Sequence, residues 1–266
     1  MDLQLTGKRA LVTGGSRGIG KAIAFALASE GVDVAIVARN IGPLSETASE
    51  IATQTGRKVI AVAGNTGDDA SVKSFIAEAA SQLGGLDILV NNAAQPGGQR
   101  PVPKLAEITA EAFNEDMNVK VMGYLRCARE AAPHMAANGW GRIINISGLA
   151  ARSSGTTIGS MRNVAVAAMT KNLADELGPS GINVTVVHPG LTRTEATPGV
   201  IHARAQREGR SEPEVEAQMA QANSVHRIIN ASDIAHIVAF LASPLAVAIS
   251  GDAIAAGGGV GRAIHY

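Results

Sequence analysis

Short apolar runs alternate along this chain with longer stretches whose apolar residues recur at helical spacing. The runs Arg9–Val12, Val34–Ala38, Val59–Ala63, Ile88–Val90, Ile143–Ile146, Asn183–Val187 and Ala253–Ala256 read as strands. Between them, Ile19–Glu30, Pro43–Thr55, Asp69–Leu83, Ala110–Ala137, Ser160–Leu177 and Ser232–Ala242 read as helices. Strands and helices in this alternation predict repeated βαβ units and a parallel sheet. The most apolar stretch, Ile234 to Ser250, is interrupted by His236, Ser243 and Pro244 and falls short of the ~20 apolar residues of a membrane span, so it predicts a buried helix, a stop and then a strand. One long polar segment, about Thr192 to Asn230, carries Pro198, Gly209 and Pro213 as breakers and reads as an irregular, lid-like loop.

Composition narrows the function. At 266 residues the chain fits one α/β domain over 1–266, and its 23 basic and 23 acidic residues leave no net field for a polyanion or an acidic membrane surface. Aromatic residues are only 3%, which argues against stacking platforms for nucleic-acid bases. The single cysteine, Cys127, has no partner for an intrachain disulfide, and the opening Met-Asp-Leu-Gln-Leu-Thr-Gly lacks the pattern of a secretory signal. A cytoplasmic protein is expected. The histidines show no metal-ligand spacing, so no metal is expected.

Chemistry enters directly after the first strand, at Thr13-Gly14-Gly15-Ser16-Arg17-Gly18-Ile19-Gly20. Glycines between a strand and a helix let the backbone turn sharply and approach a pyrophosphate, which the helix N-terminus stabilises. The spacing Gly-x3-Gly-x-Gly resembles that of the short-chain dehydrogenase/reductase family. Asn91-Asn92-Ala93-Ala94 resembles the family's Asn-Asn-Ala-Gly turn, and Pro189-Gly190 with Thr192 and Thr194 resembles the segment that holds the nicotinamide end. Asn65-Thr66 matches the position that contacts adenine, with Asn where Asp is usual, and Gly257-Gly258-Gly259 resembles a terminal Asp-Gly-Gly. The resemblance runs the length of the chain and implies a single-domain, Rossmann-like, doubly wound parallel sheet of about seven strands with helices on both faces. It also implies a homo-oligomer, a tetramer, acting on a small molecule.

The cofactor follows from the end of the second strand, where an acidic side chain would hold a ribose 2′-hydroxyl. Here that position is Ala38-Arg39, and Asp33 lies at the opposite end of the strand. Arg39 and Arg17 instead suit a 2′-phosphate, because guanidinium binds phosphate through bidentate, charge-assisted hydrogen bonds. NADP(H) is expected, held by Gly14, Ser16, Arg17, Gly18, Ile19, Gly20, Arg39, Asn65, Thr66, Asn91, Ala93, Pro189, Gly190, Thr192 and Thr194.

The resemblance further implies a catalytic Asn, Ser, Tyr and Lys. Asn118 matches the Asn, and Ser147 is the candidate Ser, with Gly148 where a second Ser is usual. Aligning Thr170-Lys171-Asn172 with the helix that follows the Tyr-x-x-x-Lys motif puts Gly159 at the tyrosine and Asn163 at the lysine. Tyr124 and Tyr266 are the two tyrosines of the chain. Lys120, two positions beyond Asn118 on one helix, is expected on another face and in solvent. His188 reads as a structural histidine beside the nicotinamide pocket, and Ser160 and Arg162 flank the altered motif as anion or carbonyl contacts or as helix surface. Three functions stay open: an NADP(H)-dependent oxidoreductase for a small carbonyl, alcohol or activated alkene with a substituted proton donor, an NADP(H)-binding sensor or partner subunit without turnover, and a redox-neutral enzyme.

Overall fold

The computed structural model describes residues 1–95 and 102–261. Its first strand, β1 (Arg9–Thr13), shows how the sheet is made: Ala10 and Val12 enter one core while Leu11 between them enters another. Side chains alternate across a strand, so a strand covered on both faces must be apolar at every position. The same division recurs in β2 (Asp33–Ala38), β3 (Val59–Ala63), β4 (Ile88–Asn91), β5 (Gly141–Ile146) and β6 (Ile182–Pro189). After β6 come the two-residue strands β7 (Thr192–Arg193) and β8 (Ile229–Asn230), and then β9 (Ala253–Ala256). The main sheet runs β3-β2-β1-β4-β5-β6-β9 with every pair parallel, the seven-stranded doubly wound arrangement expected.

Helices cover both faces. One core is closed by α1 (Gly18–Ser29), α2 (Ile41–Thr55) and, from the C-terminal part of the chain, Ile234, Ala235 and Val238. The other is closed by α3 (Asp69–Leu83), whose first turn is capped by Asp68 Oδ1 accepting from Ser71 N at 2.7 Å. The expected helix Ala110–Ala137 is present as three pieces: α4 (Ala110–Met117), a π-helical turn over Asn118–Met122, and α5 (Gly123–Ala136). Its buried face, with Cys127, Ala131 and Met135, packs on the second core beside α6 (Thr157–Leu177), which Thr156 caps.

The segment 192–230 corrects the expectation of an irregular loop. It folds into α7 (Thr197–Glu208) and α8 (Glu212–Ala220), which share a small core of Ile201, Ala205, Val215, Met219 and Ile228. Pro198 and Pro213 lie in the first turns of these helices, where the missing N–H costs nothing, and Ser211 with Glu214 closes a capping box. The prolines start helices here and break none. β7 pairs with β8 to close the segment's base, Ser224 Oγ donates to Gly259 O at 2.9 Å, and α9 (Ala231–Ala242) follows. No described helix is long and apolar enough to cross a membrane.

Phe75 on α3 fills the space above Gly64, where a Cβ would meet the ring at 2.4 Å. Phe75 is fully buried, so Phe75→Ala should lower the unfolding free energy by about 3–5 kcal/mol in urea denaturation.

Candidate active site

Strand order reverses between β1 and β4, which opens a crevice at the C-terminal ends of the strands. Thr13 and Asn92 pin its two lips together. Thr13 Oγ1 accepts from Asn92 N at 2.9 Å and Ala93 N at 3.1 Å, while Asn92 Nδ2 donates to Thr13 O at 3.1 Å and Gly14 O at 3.2 Å. Sequence reasoning passed over both residues, although Asn92 stands inside the turn it singled out.

The glycine turn then bends away from the sheet. Gly14 sits at φ +68°, and a Cβ at Gly20 would lie 2.2 Å from Gly14 O, so the turn and α1 can meet only through glycine. No side chain caps α1, and Gly18 N donates to Glu195 Oε2 at 2.9 Å. A carboxylate therefore stands where a helix N-terminus attracts anions, and the donor set fits a phosphate group. Glu195 arrives from the segment after β6, which also brings Thr194 over Gly18.

The other expected cofactor residues are distributed around this turn. Ser16 O accepts from Thr47 Oγ1 at 3.0 Å, which fixes the turn to α2, and Ile19 lies in the first turn of α1. Arg17 and Arg39 are exposed and form no ion pair among the described residues, whereas Asp33 is bound to Arg57 at 2.7 Å at the far end of β2. Asn65 accepts from Gly67 N, and the buried Thr66 donates to Val119 O at 3.2 Å. Asn91 is turned into the sheet, donating to Asn145 Oδ1 at 2.9 Å, so its side chain braces β4 against β5. Gly190 packs against Gly257, where a Cβ would come within 2.8 Å, and Thr192 Oγ1 bonds Gly190 O at 3.0 Å.

The expected catalytic residues do not all converge. Asn118 Nδ2 donates to Gly67 O at 2.9 Å, which ties it to the loop before α3. Ser147, just past β5, donates to Asn163 O on α6 at 3.2 Å. Lys120 also bridges the end of β5 to α6. It is 3% exposed, and its Nζ donates to Ser147 O and to Asn163 Oδ1, each at 3.1 Å. This overturns the expectation of a solvated lysine. Lys120 does point away from Asn118, as two positions along a helix require, but that face packs against α6 and the end of β5 and not against solvent.

Burial, with Arg162 adding to it and Asp116 opposing it, pushes the Lys120 ammonium down to about 7. Arg162 and Asp116 are bound to each other at 2.6 Å, so neither flanks the site as a free contact. Tyr124 donates to Ile146 O at 2.8 Å in full burial, which pushes its phenol well above the ordinary range. His188 on β6 is 1% exposed, and its Nδ1 has no partner among the described residues. Burial, then the charges of Arg152 and Lys120, push it down to about 4. Tyr266 lies outside the described residues.

Two of the hollows among the described residues stand out. The larger, about 850 Å³, is a groove between α1 and α9 that takes in Gly18, Thr194 and Glu195 but not Lys120, Ser147, Asn163 or His188. The smaller, about 580 Å³, is lined by Pro103, Lys104, Thr156, Ser160 and Met161, one turn of α6 before Asn163.

A doubly wound parallel sheet with a glycine turn at its switch point defines a Rossmann-like α/β protein. The model of the short chain dehydrogenase family matches residues 8–205, and the chain belongs to that family. It is 33% identical over 255 residues to the 3-oxoacyl-[acyl-carrier-protein] reductase of Staphylococcus aureus, covering 95% of this chain and 98% of that one. The structure superposes at TM-score 0.93 on L-sorbose reductase from Gluconobacter frateurii in complex with NADPH and L-sorbose, at 29% identity over 99% of this chain and all of that one. It superposes at 0.86 on a 7α-hydroxysteroid dehydrogenase in complex with NADH and 7-oxo glycochenodeoxycholic acid, at 30% identity over 99% and 98%.

The buried ammonium sets a pH dependence of stability. Between about 7 and the ordinary 10.5, the unfolded chain holds a proton on Lys120 that the folded chain lacks, so stability should rise with pH across that window. Below about 7 both states are protonated and the contribution is level. Urea midpoints measured from about pH 6.5 to 9 should show the rise in the native protein and a loss of it in Lys120→Met.

Proposed function

We propose that the protein is an NADP(H)-dependent oxidoreductase for a small carbonyl, alcohol or activated alkene, using a proton donor other than a Tyr–Lys pair. One observation carries the cofactor reading: two exposed guanidinium groups, Arg17 and Arg39, without ion pairs among the described residues, beside a helix N-terminus that already attracts a carboxylate. Relatives of this fold are known with NADPH and with NADH, so the fold alone does not select between them. The selection lies in Arg39, which stands where a carboxylate would be needed for a free 2′-hydroxyl.

In this reading the N–H groups of Gly18 and Ile19 hold the pyrophosphate, and Asn65 and Thr66 border the adenine. Pro189, Gly190, Thr192 and Thr194 border the nicotinamide end. When bound, the reduced nicotinamide supplies a hydride. The chain's own part is to exclude water with the segment after β6, to orient the substrate in the hollow beside α6, and to provide the proton. Gly159 and Asn163 stand at the positions that the family resemblance assigns to Tyr and Lys, and Tyr124 is spent on Ile146 O.

The tetramer is part of the same proposal. Met122 and Leu125 on one helix and Met161 and Val164 on the next expose apolar side chains at helical spacing, as a helix-pairing surface needs. Cys127 faces the sheet instead.

NADPH should bind at least about tenfold more tightly than NADH, and Arg39→Ala should remove most of that preference; equal affinities in the native protein would contradict the assignment. Glu195 competes for the α1 N-terminus, so Glu195→Gln should tighten NADPH binding in the same fluorescence titration.

A further inference from the structure

Lys120 is a cation without a carboxylate. Burying an ammonium is costly unless it is paired, and the usual result is an ion pair in the interior. Here the acceptors are one backbone carbonyl and one amide oxygen, both neutral, and the nearby Asp116 is bound to Arg162. Lysine has three N–H donors, and the third has no acceptor among the described residues, although the Tyr124 ring centroid lies 6.0 Å away. Next to it the His188 Nδ1 is also unpartnered. A Cβ at Gly148 would stand 3.0 Å from Asn163 Nδ2, so the amide that holds the ammonium fills the space beside the strand end.

These groups cluster at the C-terminal ends of β5 and β6, where open α/β sheets bind their ligands. Lys120 reaches them from a π turn, and such turns gather at functional sites. A folded core gains nothing from a buried, carboxylate-free ammonium, so the cost points to work done on a ligand.

We propose that Lys120 is the proton donor of the site: its Nζ faces the substrate oxygen and protonates it as the neighbouring carbon is reduced. The proposal rests on the oxidoreductase reading above. The Lys120 N–H bond breaks and an O–H bond forms on a carbonyl oxygen whose carbon takes the hydride supplied by the reduced nicotinamide. The carbonyl becomes an alcohol, the nicotinamide is oxidised, and water returns a proton to the amine. The substrate class is a small ketone or aldehyde.

The donor must be protonated, so reduction should fall as pH rises through about 7, the value to which Lys120 is pushed. The other groups packed around it do not share that window. His188 on β6, already pushed to about 4, stays neutral, and the Tyr124 phenol on α5 stays protonated. Arg152, Arg162 and Asp116 are the other charged groups beside it.

The test uses the full chain in three forms: native, Lys120→Met and Lys120→Gln. Thermal melting and NADPH fluorescence titration come first, then ketone and aldehyde reduction against pH. Both variants should fold, because removing a buried charge at similar volume is neutral or stabilising, and both should bind NADPH within about threefold of the native protein. Turnover should drop by about 10²–10⁴-fold, and the fall near pH 7 should vanish from the residual rate. Should one variant fail to fold, the other carries the same comparison. Variants that bind NADPH and keep native turnover, or keep the fall near pH 7, overturn the assignment of Lys120 alone. A native protein that binds NADPH but reduces no carbonyl overturns it too, whereas one that does not bind NADPH overturns the cofactor reading and the proposal with it.

Discussion

The hydrogen bonds between Thr13 and the Asn92 turn hold together the two halves of the sheet where they diverge. One hydroxyl accepts from two successive backbone N–H groups, and one amide returns two bonds to the backbone that leads into the glycine turn. Everything functional hangs from this junction. It aims the glycine turn over the crevice, it sets the start of α1, and it fixes the end of β4 beside β5, where Asn91, Asn145 and Thr170 continue the polar chain toward α6. Backbone polar groups at strand ends would otherwise be left unpaired in a region half closed to water.

From that frame the site divides into an anion-attracting side and a cation-bearing side. On the first, an uncapped helix N-terminus and two free arginines favour phosphate, and Glu195 occupies one donor as a phosphate would. On the second, the interior holds an ammonium whose acceptors among the described residues are both neutral, together with a His188 Nδ1 that has no partner among them. The segment after β6 reaches over the glycine turn with Thr194 and Glu195. Both sides are positive, and positive charge suits a reaction in which negative charge develops on a substrate oxygen.

Most of the fold was legible because its determinants are local. Strand and helix periods, the Asp68 and Thr156 caps, and the glycine spacing act within a few residues, and α3 and α6 stand within three residues of their expected limits. The 192–230 segment was misread because Pro198 and Pro213 were taken as breakers when each occupies a helix's first turn. Lys120 was misread for a different reason. A face other than that of Asn118 was read as solvent, but α6 and the end of β5 pack on it, a long-range contact that the local pattern does not report. The signal that was available is the Gly159 and Asn163 that stand where the family resemblance assigns Tyr and Lys.

The account stands or falls on the state of that lysine. Lysine labelled at Cε with ¹³C reports each side chain's protonation by NMR, and Lys120→Met identifies the resonance. One resonance should titrate near pH 7, be missing in the variant, and move when NADPH is added to the native protein. If every lysine titrates near the ordinary 10.5, or the Lys120 resonance ignores NADPH, the ammonium is neither buried as described nor part of the site.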